Sequence, residues 1–361
     1  MTSTDDRRDA LVGRLFEATL GAMDLYGVYL GDRLGLYTAL AEVGPLTSSG
    51  LASVAGIHER YAREWLEQQA ATGILDVDDA GADAFDRRFS LPAGHDEALL
   101  DEASLNYAAP FGRLAVAVGR PLGDLLAAFR TGAGVPYEAY GADLYEGQEA
   151  FTRPMFQTLL GSEWFPAVPE LHERLRGEPP ARIADVACGC GWSSIAIARA
   201  YPLVHVDGID LDTASVEKAR RNLVGSGVDD RVTFYERDAA DPAMVGHYDL
   251  VTIFEALHDM SYPVEVLRAV RGMLAESGAV IVGDERAEDV FSAPASDLER
   301  LYYGFSVLHC LPVGMIGDDA AGTGTVMRTD TVRRYAEEAG FGGFSVLPIE
   351  NDFWRFYRLT P

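Results

Sequence analysis

The segment Asp185-Val-Ala-Cys-Gly-Cys-Gly-Trp-Ser193 lies between a strand-like and a helix-like stretch. A tight glycine turn at such a junction lets backbone amides approach a ligand, and the N-terminus of the following helix favours negative charge. Nineteen residues after Gly191, Asp210 closes a second strand pattern, where a carboxylate can accept from both hydroxyls of a ribose. Asp238 and Ala239 follow a third strand pattern, RVTFYE, where a carboxylate can accept from the exocyclic amine of adenine. The glycine turn and ribose carboxylate alone fit NAD, FAD or S-adenosylmethionine (SAM). A fourth pattern, YDLVTIFEA, runs into Leu257-His258-Asp259. A histidine at the carboxyl end of such a strand can take up a proton near neutral pH.

Other reactive side chains carry less. Cys188 and Cys190 form a C-x-C pair, but no second thiol or histidine pair lies near enough in sequence to complete a zinc site, so they read as small residues packed in a loop. Cys310 beside His309 has the composition of a thiolate nucleophile, but HCLP also reads as an ordinary loop. His58, His95, His172 and His247 read as loop histidines without a role.

The elements that must position these residues follow from periodicity. From residue 181 onward, ARIADVA, VHVDGID, RVTFYERD, YDLVTIFEA and GAVIVGDE alternate with helices over Ser193 to Ala200 and Thr213 to Ser226. This alternation predicts a mainly parallel sheet covered on both faces. GFSVLPIEND and FWRFYRLT can close it as a terminal hairpin. Residues 11 to 43 read as helices, and shorter helices follow at Thr47 to Gly56 and Glu59 to Gly73. Two strand-like pieces, GILDVDD and FDRRFSLP, complete a winged-helix pattern. Residues 97 to 176 read as helical and aromatic-rich, and some of those aromatics could line an apolar pocket.

Of the 361 residues 48% are hydrophobic, enough for each of two or three domains to bury a core. Thirty basic against 56 acidic residues give a net charge of −26, a field that repels phosphate backbones and anionic lipid. Three cysteines make no disulfide framework and point to a reducing compartment. The polar N-terminus reads as no secretory signal, and no apolar run is long enough to span a membrane.

The ordered set of Asp185 with its glycine loop, Asp210, Asp238-Ala239 and the Asp249 to Asp259 segment resembles the class I SAM-dependent methyltransferases. That resemblance implies that Asp185 and the loop of Ala187, Cys188, Gly189 and Gly191 hold the methionine part of SAM. It also implies that Asp210 with Leu211 holds the ribose, that Asp238 and Ala239 hold the adenine, and that Phe254 and Glu255 complete the cofactor site. One position departs from the pattern: Ala187 stands where the family usually has glycine, and a positive φ there would strain it. The segment Glu255 to Tyr262 resembles the LHDW segment of plant and hydroxyindole-type O-methyltransferases, with Met260 in place of the tryptophan. This likeness implies His258 as general base, with Asp259 beside it and Asp284, neighboured by Glu285, orienting it. A structural role for His258, closing the strand end, is the alternative. LGLYTALAEVGPLTSSGLASVAGIHERYAREWLEQQAATGIL resembles the dimerisation domain of the same group, and GVPYEAYG, FTRPMFQ and ERLYYGFSVLHCLPVGM resemble a bacterial winged-helix-containing branch.

The expected architecture is an α/β Rossmann-like catalytic domain at 179–361. A winged-helix-like dimerisation domain is expected at 1–96 and a helical capping region at 97–178. The expected function is methyl transfer from SAM, leaving S-adenosylhomocysteine, to a small, partly apolar molecule, with a hydroxyl oxygen as one acceptor. The expected chain is a cytoplasmic homodimer that uses no metal, nucleic acid or membrane. Two alternatives stay open: a winged-helix transcription regulator with a SAM-binding domain, and a methyltransferase fold catalysing another reaction.

Overall fold

A computed structural model describes residues 3–241 and 246–361. The chain divides into two compact units, one of residues 1–117 and 146–154, the other of residues 118–145 and 155–361. Residues 97–178, which the sequence presents as one helical region, are therefore shared between the two units.

The first unit is built on four helices, α1 (Thr4–Arg33), α2 (Leu36–Val43), α3 (Ser48–Ala55) and α4 (Glu59–Ala71). Ser3 starts α1 with a reciprocal cap: its hydroxyl accepts from the Asp6 amide and the Asp6 carboxylate accepts from the Ser3 amide. Only the last third of α1 buries side chains or backbone, at Gly27, Val28 and Gly31. Both glycines sit where α4 crosses. A Cβ on Gly31 would run into the rings of Tyr37 and Trp65, and the Trp65 indole donates to the Gly27 carbonyl at 2.9 Å. Leu36, Tyr37, Leu40, Leu51, Leu66 and Phe89 form the core around this crossing. Inside it Gln69 is fully buried, accepting from the Tyr37 hydroxyl and donating to Gln68. The wing is shorter than its sequence suggests. Strands β1 (Asp76–Val77) and β2 (Phe89–Ser90) pair antiparallel over two residues each, and the turn between them is held by the Asp78 carboxylate accepting from the amides of Asp79 and Arg88.

The second unit carries a seven-stranded sheet of β3 (Arg182–Val186), β4 (His205–Asp210), β5 (Val232–Glu236), β6 (Tyr248–Phe254), β7 (Leu274–Glu285), β8 (Gly343–Val346) and β9 (Trp354–Thr360). Their order is β5-β4-β3-β6-β7-β9-β8. All neighbours are parallel except β9, which runs antiparallel to both β7 and β8. The expected terminal hairpin is therefore present and joins the sheet through β9. Strands β3 and β6 are buried on both faces along nearly their whole length, so their buried positions are apolar except at Asp185 and Thr252. The strand order reverses between β3 and β6, and in sheets of this kind ligands bind beyond the carboxyl ends at that reversal. Ala187, Leu211 and Glu255 stand at those ends. Among the described residues no helix is long and apolar enough to cross a membrane.

The α1–α4 crossing makes a prediction. Gly31→Val should destabilise the first unit by about 1–3 kcal/mol, because rings on both partner helices must move to admit the side chain. Urea unfolding followed by tryptophan fluorescence measures this, and an unchanged midpoint would refute it.

Candidate active site

The loop after β3 turns on three left-handed residues, Ala187 (φ 55°), Gly189 (φ 50°) and Gly191 (φ 82°). Ala187 is thus strained at the position where the sequence raised that question. Gly191 and Gly208 also serve close packing, since a Cβ on either would collide with the Phe234 ring. Gly189 differs: a Cβ there would meet nothing within 4 Å, so the loop presents open space to a ligand. Its amide donates to Asp210 Oδ2 at 2.8 Å, and Oδ1 accepts from the Asp212 amide at 2.9 Å. Burial raises the Asp210 carboxyl, and those amides oppose the rise. Next to it Leu211 is 70% exposed, an apolar surface at the mouth of the loop.

Asp185 does not face this space. It is buried, with Oδ2 accepting from the hydroxyls of Ser193 and Ser194 at 2.6 Å each and Oδ1 from Thr252 at 2.7 Å. The carboxylate expected to meet the methionine part is instead a brace that ties β3 to the next helix and to β6. Phe254 also turns inward, into a cluster with Phe156, Trp164, Trp354 and Phe356. Asp238 is exposed and accepts from the Ala240 amide at 2.8 Å, while Ala239 packs partly against the core. Cys188 and Cys190 are buried and in no disulfide; burial holds the Cys188 thiol well above its usual range.

A second group of side chains gathers at the ends of β6 and β7. His258 is buried, and its Nδ1 lies 2.8 Å from Asp284 Oδ1 and 3.0 Å from Glu285 Oε2. One ring proton cannot serve both. Asp284 takes the hydrogen bond, and Glu285 Oε2 has no hydrogen-bond partner among the described residues. Burial alone would drive the imidazole down, but the charges of Glu285 and Asp284 outweigh it and hold His258 well above the ordinary histidine range. Burial also acts on the carboxyls. It pushes Glu285 up to about 7 and Asp259 up to about 6. Burial, then the Glu285 charge, raises Glu255 well above its usual range. At Asp284 the burial effect is overcome by His258, which keeps that carboxyl low. Glu255 is also strained, with φ 52° and its amide donating to the Gly283 carbonyl at 2.8 Å. Such outliers at a strand end concentrate at working sites.

Sequence reasoning missed three neighbours of this group. Cys310 is buried with its sulfur within 4.8 Å of a His258 ring nitrogen; burial raises its thiol and the His258 charge opposes the rise. His309 lies with Nδ1 3.4 Å from Cys310 Sγ, its ring edge-on to Tyr140 at 4.7 Å and to Tyr137 at 5.8 Å. Burial, then the His258 charge, lowers it to about 3. Tyr137, raised well above its usual range by burial and then by the charges of Asp210 and Asp259, lies within the field of both halves of the site. The segments GVPYEAYG and ERLYYGFSVLHCLPVGM held these residues in plain view, but nothing local in them assigns a contact.

The methyltransferase-domain family matches residues 178–340, which hold both halves of this site. The chain carries a methyltransferase domain. Ahead of it, residues 22–101 match the Rv2258c-like winged HTH domain. The chain is 36% identical over 135 residues to a ubiquinone biosynthesis O-methyltransferase of Marinobacter nauticus, covering 37% of this chain and 54% of that protein. It is 34% identical over 123 residues to the 27-O-demethylrifamycin SV methyltransferase of Amycolatopsis mediterranei, covering 33% and 45%. The chain thus spans about half the length of these curated relatives. Solved structures extend the likeness to the whole chain. The mitomycin 7-O-methyltransferase MmcR superposes with a TM-score of 0.69 at 21% identity, covering 98% of each chain. Human N-acetylserotonin methyltransferase, solved with SAM, superposes at 0.67 and 17% identity, covering 100% of this chain and 99% of that one. At such identities the likeness establishes the fold: a Rossmann-like methyltransferase domain behind a winged-helix domain.

Ala187 offers a test of the loop. Ala187→Gly should raise stability by about 1 kcal/mol, because relief of the left-handed strain exceeds the added chain entropy of glycine. A lower thermal midpoint for the variant would contradict this.

Proposed function

We propose that the protein is a SAM-dependent methyltransferase acting at a hydroxyl oxygen of a small, partly apolar acceptor, with His258 as the general base. The observation that carries this reading is the His258–Asp284 pair, buried at the carboxyl end of the sheet next to the strand-end loop that Asp210 braces. The cofactor supplies a methyl group already activated by a sulfonium, whose positive charge favours loss of a nearby proton. The chain's residues do the rest. Gly189 leaves room for a ligand against its backbone, Asp210 keeps lone pairs for ribose hydroxyls beyond the two amides it binds, and Leu211 offers an apolar surface for a base. In its neutral form, which its neighbouring carboxylates favour only above the ordinary histidine range, His258 accepts the acceptor's proton on the nitrogen that Asp284 leaves open, and Asp284 stabilises the imidazolium that forms. Tyr137, Tyr140 and His309 supply an aromatic wall suited to an apolar acceptor.

The likeness of the domain to O-methyltransferases of small molecules supports this choice over a DNA-binding regulator. So does α4, the helix in the recognition position: its Arg60 and Arg63 pair with Glu64 and Glu59 of the same helix, which leaves little positive charge for phosphates. The buried cysteines, in no disulfide, fit a cytoplasmic protein.

His258→Ala should lower turnover roughly 10²-fold or more while leaving SAM affinity nearly intact, with Asp284→Asn milder in the same direction. Asp210→Ala should do the converse and weaken SAM binding strongly. Calorimetry and single-turnover assays on a hydroxyl acceptor separate the two. Undiminished turnover by His258→Ala would reject the base, and unchanged affinity in Asp210→Ala would reject the ribose contact.

The N-terminal helix supports a homodimer. Leu11, Val12, Leu15, Phe16, Leu20 and Met23 are all exposed along α1, an apolar stripe of the kind that a second subunit covers. Light scattering at micromolar concentration should give twice the 39.1 kDa chain mass, and Leu15→Glu with Phe16→Glu should return it to the monomer value. A monomer mass for the unaltered chain would contradict the dimer.

A further inference from the structure

We propose that His258, Asp259 and Cys310 form a binding site for a thiophilic divalent cation, zinc being the chemical type, and that the bound ion blocks the nitrogen the base would use. One donor atom from each of the three residues lies within 4.8 Å of the other two. A tetrahedral ion with bonds of about 2.0–2.3 Å draws its donors somewhat closer than that. The movement falls to Asp259, which is half-buried, while His258 and Cys310 are fixed by their surroundings.

Three further features point to an ion of this kind. Nitrogen, sulfur and oxygen donors together suit zinc and exclude magnesium or calcium, which take oxygen. The second nitrogen of His258 is held by Asp284 at 2.8 Å, the carboxylate–histidine arrangement that orients imidazole ligands toward a metal and raises their basicity. Polar satisfaction points the same way: beside His258 the buried oxygens Asp284 Oδ2 and Glu285 Oε2 have no hydrogen-bond partner among the described residues. On binding the ion, Cys310 releases its thiol proton and His258 any proton on its open nitrogen, both to solvent. Three protein ligands leave a fourth position for water.

Binding itself does not depend on the function proposed above; only the blockade does. Cobalt(II) is the direct probe, because a cobalt–thiolate bond absorbs in the near ultraviolet and a tetrahedral ion in the visible. Added to the full chain, cobalt should produce both bands, zinc should displace it, and magnesium should not. Cys310→Ser should abolish the thiolate band and weaken zinc in calorimetry at least tenfold. Asp259→Asn, which keeps the thiol, should weaken zinc while retaining the band. No band in the unaltered chain, or a band that survives Cys310→Ser and disappears in Cys188→Ser or Cys190→Ser, would overturn the site. The ratio of turnover without and with zinc should exceed one in the unaltered chain and fall toward one in Cys310→Ser, and a chelator should raise turnover, not lower it. Zinc bound with turnover undiminished would overturn the blockade while leaving the site, and the test of His258→Ala stands apart from both.

Discussion

The carboxyl edge of the sheet is organised around a carboxylate that water does not reach. Asp185 accepts three short hydrogen bonds from hydroxyls, two on the helix that follows β3 and one on β6. A buried charge without such partners would be costly, so the three hydroxyls and the carboxylate hold one another in place. The strands on either side of the order reversal are thereby clamped at the level where the chain leaves them. The positions of Gly189 above β3 and Glu255 above β6 both follow from that clamp.

From it the two halves of the site acquire different characters. On the Asp210 side polar groups are satisfied by backbone and the loop opens onto free space, which suits a ligand that brings hydroxyls and an apolar ring. On the His258 side the chemistry is crowded and sealed. Four carboxyls compete for one imidazole, and burial resolves the competition by raising three carboxyls and leaving Asp284 low. The strained backbone at Glu255 belongs to that second half.

The sheet was legible in the sequence because, from residue 181 onward, strand patterns alternate with helix patterns at the spacing of a parallel sheet. Asp210 was legible because its distance from the glycine loop is a local consequence of one strand–helix–strand unit. His258 and Asp284 were legible only through a resemblance, since a separation of 26 positions carries no spacing rule. The inward turn of Phe254 was not legible: its partners Phe156 and Trp354 lie far off in the chain, and an aromatic at a strand end looks the same whether it faces a ligand or a core. Asp185 misled for a related reason, because a carboxylate at the start of a glycine loop gives no local sign that hydroxyls will saturate it. Cys310 beside His309 reads as a nucleophile or an ordinary loop residue, and the sequence alone favours the loop. What changed its meaning was the proximity of His258, 52 residues earlier, which only the folded chain provides.

The first helix carries a mechanical consequence. α1 spans 30 residues, about 45 Å, yet its buried positions lie at Gly27 to Gly31, and ion pairs and hydrogen bonds at Asp24, Asp32 and Arg33 hold the same end. It is a lever with its fulcrum at a glycine crossing. From Tyr29 to Leu11 the arm is about 27 Å, so each degree of rocking at the crossing carries the tip by about half an ångström. Whatever seats the apolar stripe of that arm therefore acts, through that crossing, on the tilt of α1 against Trp65 and the helix that bears it.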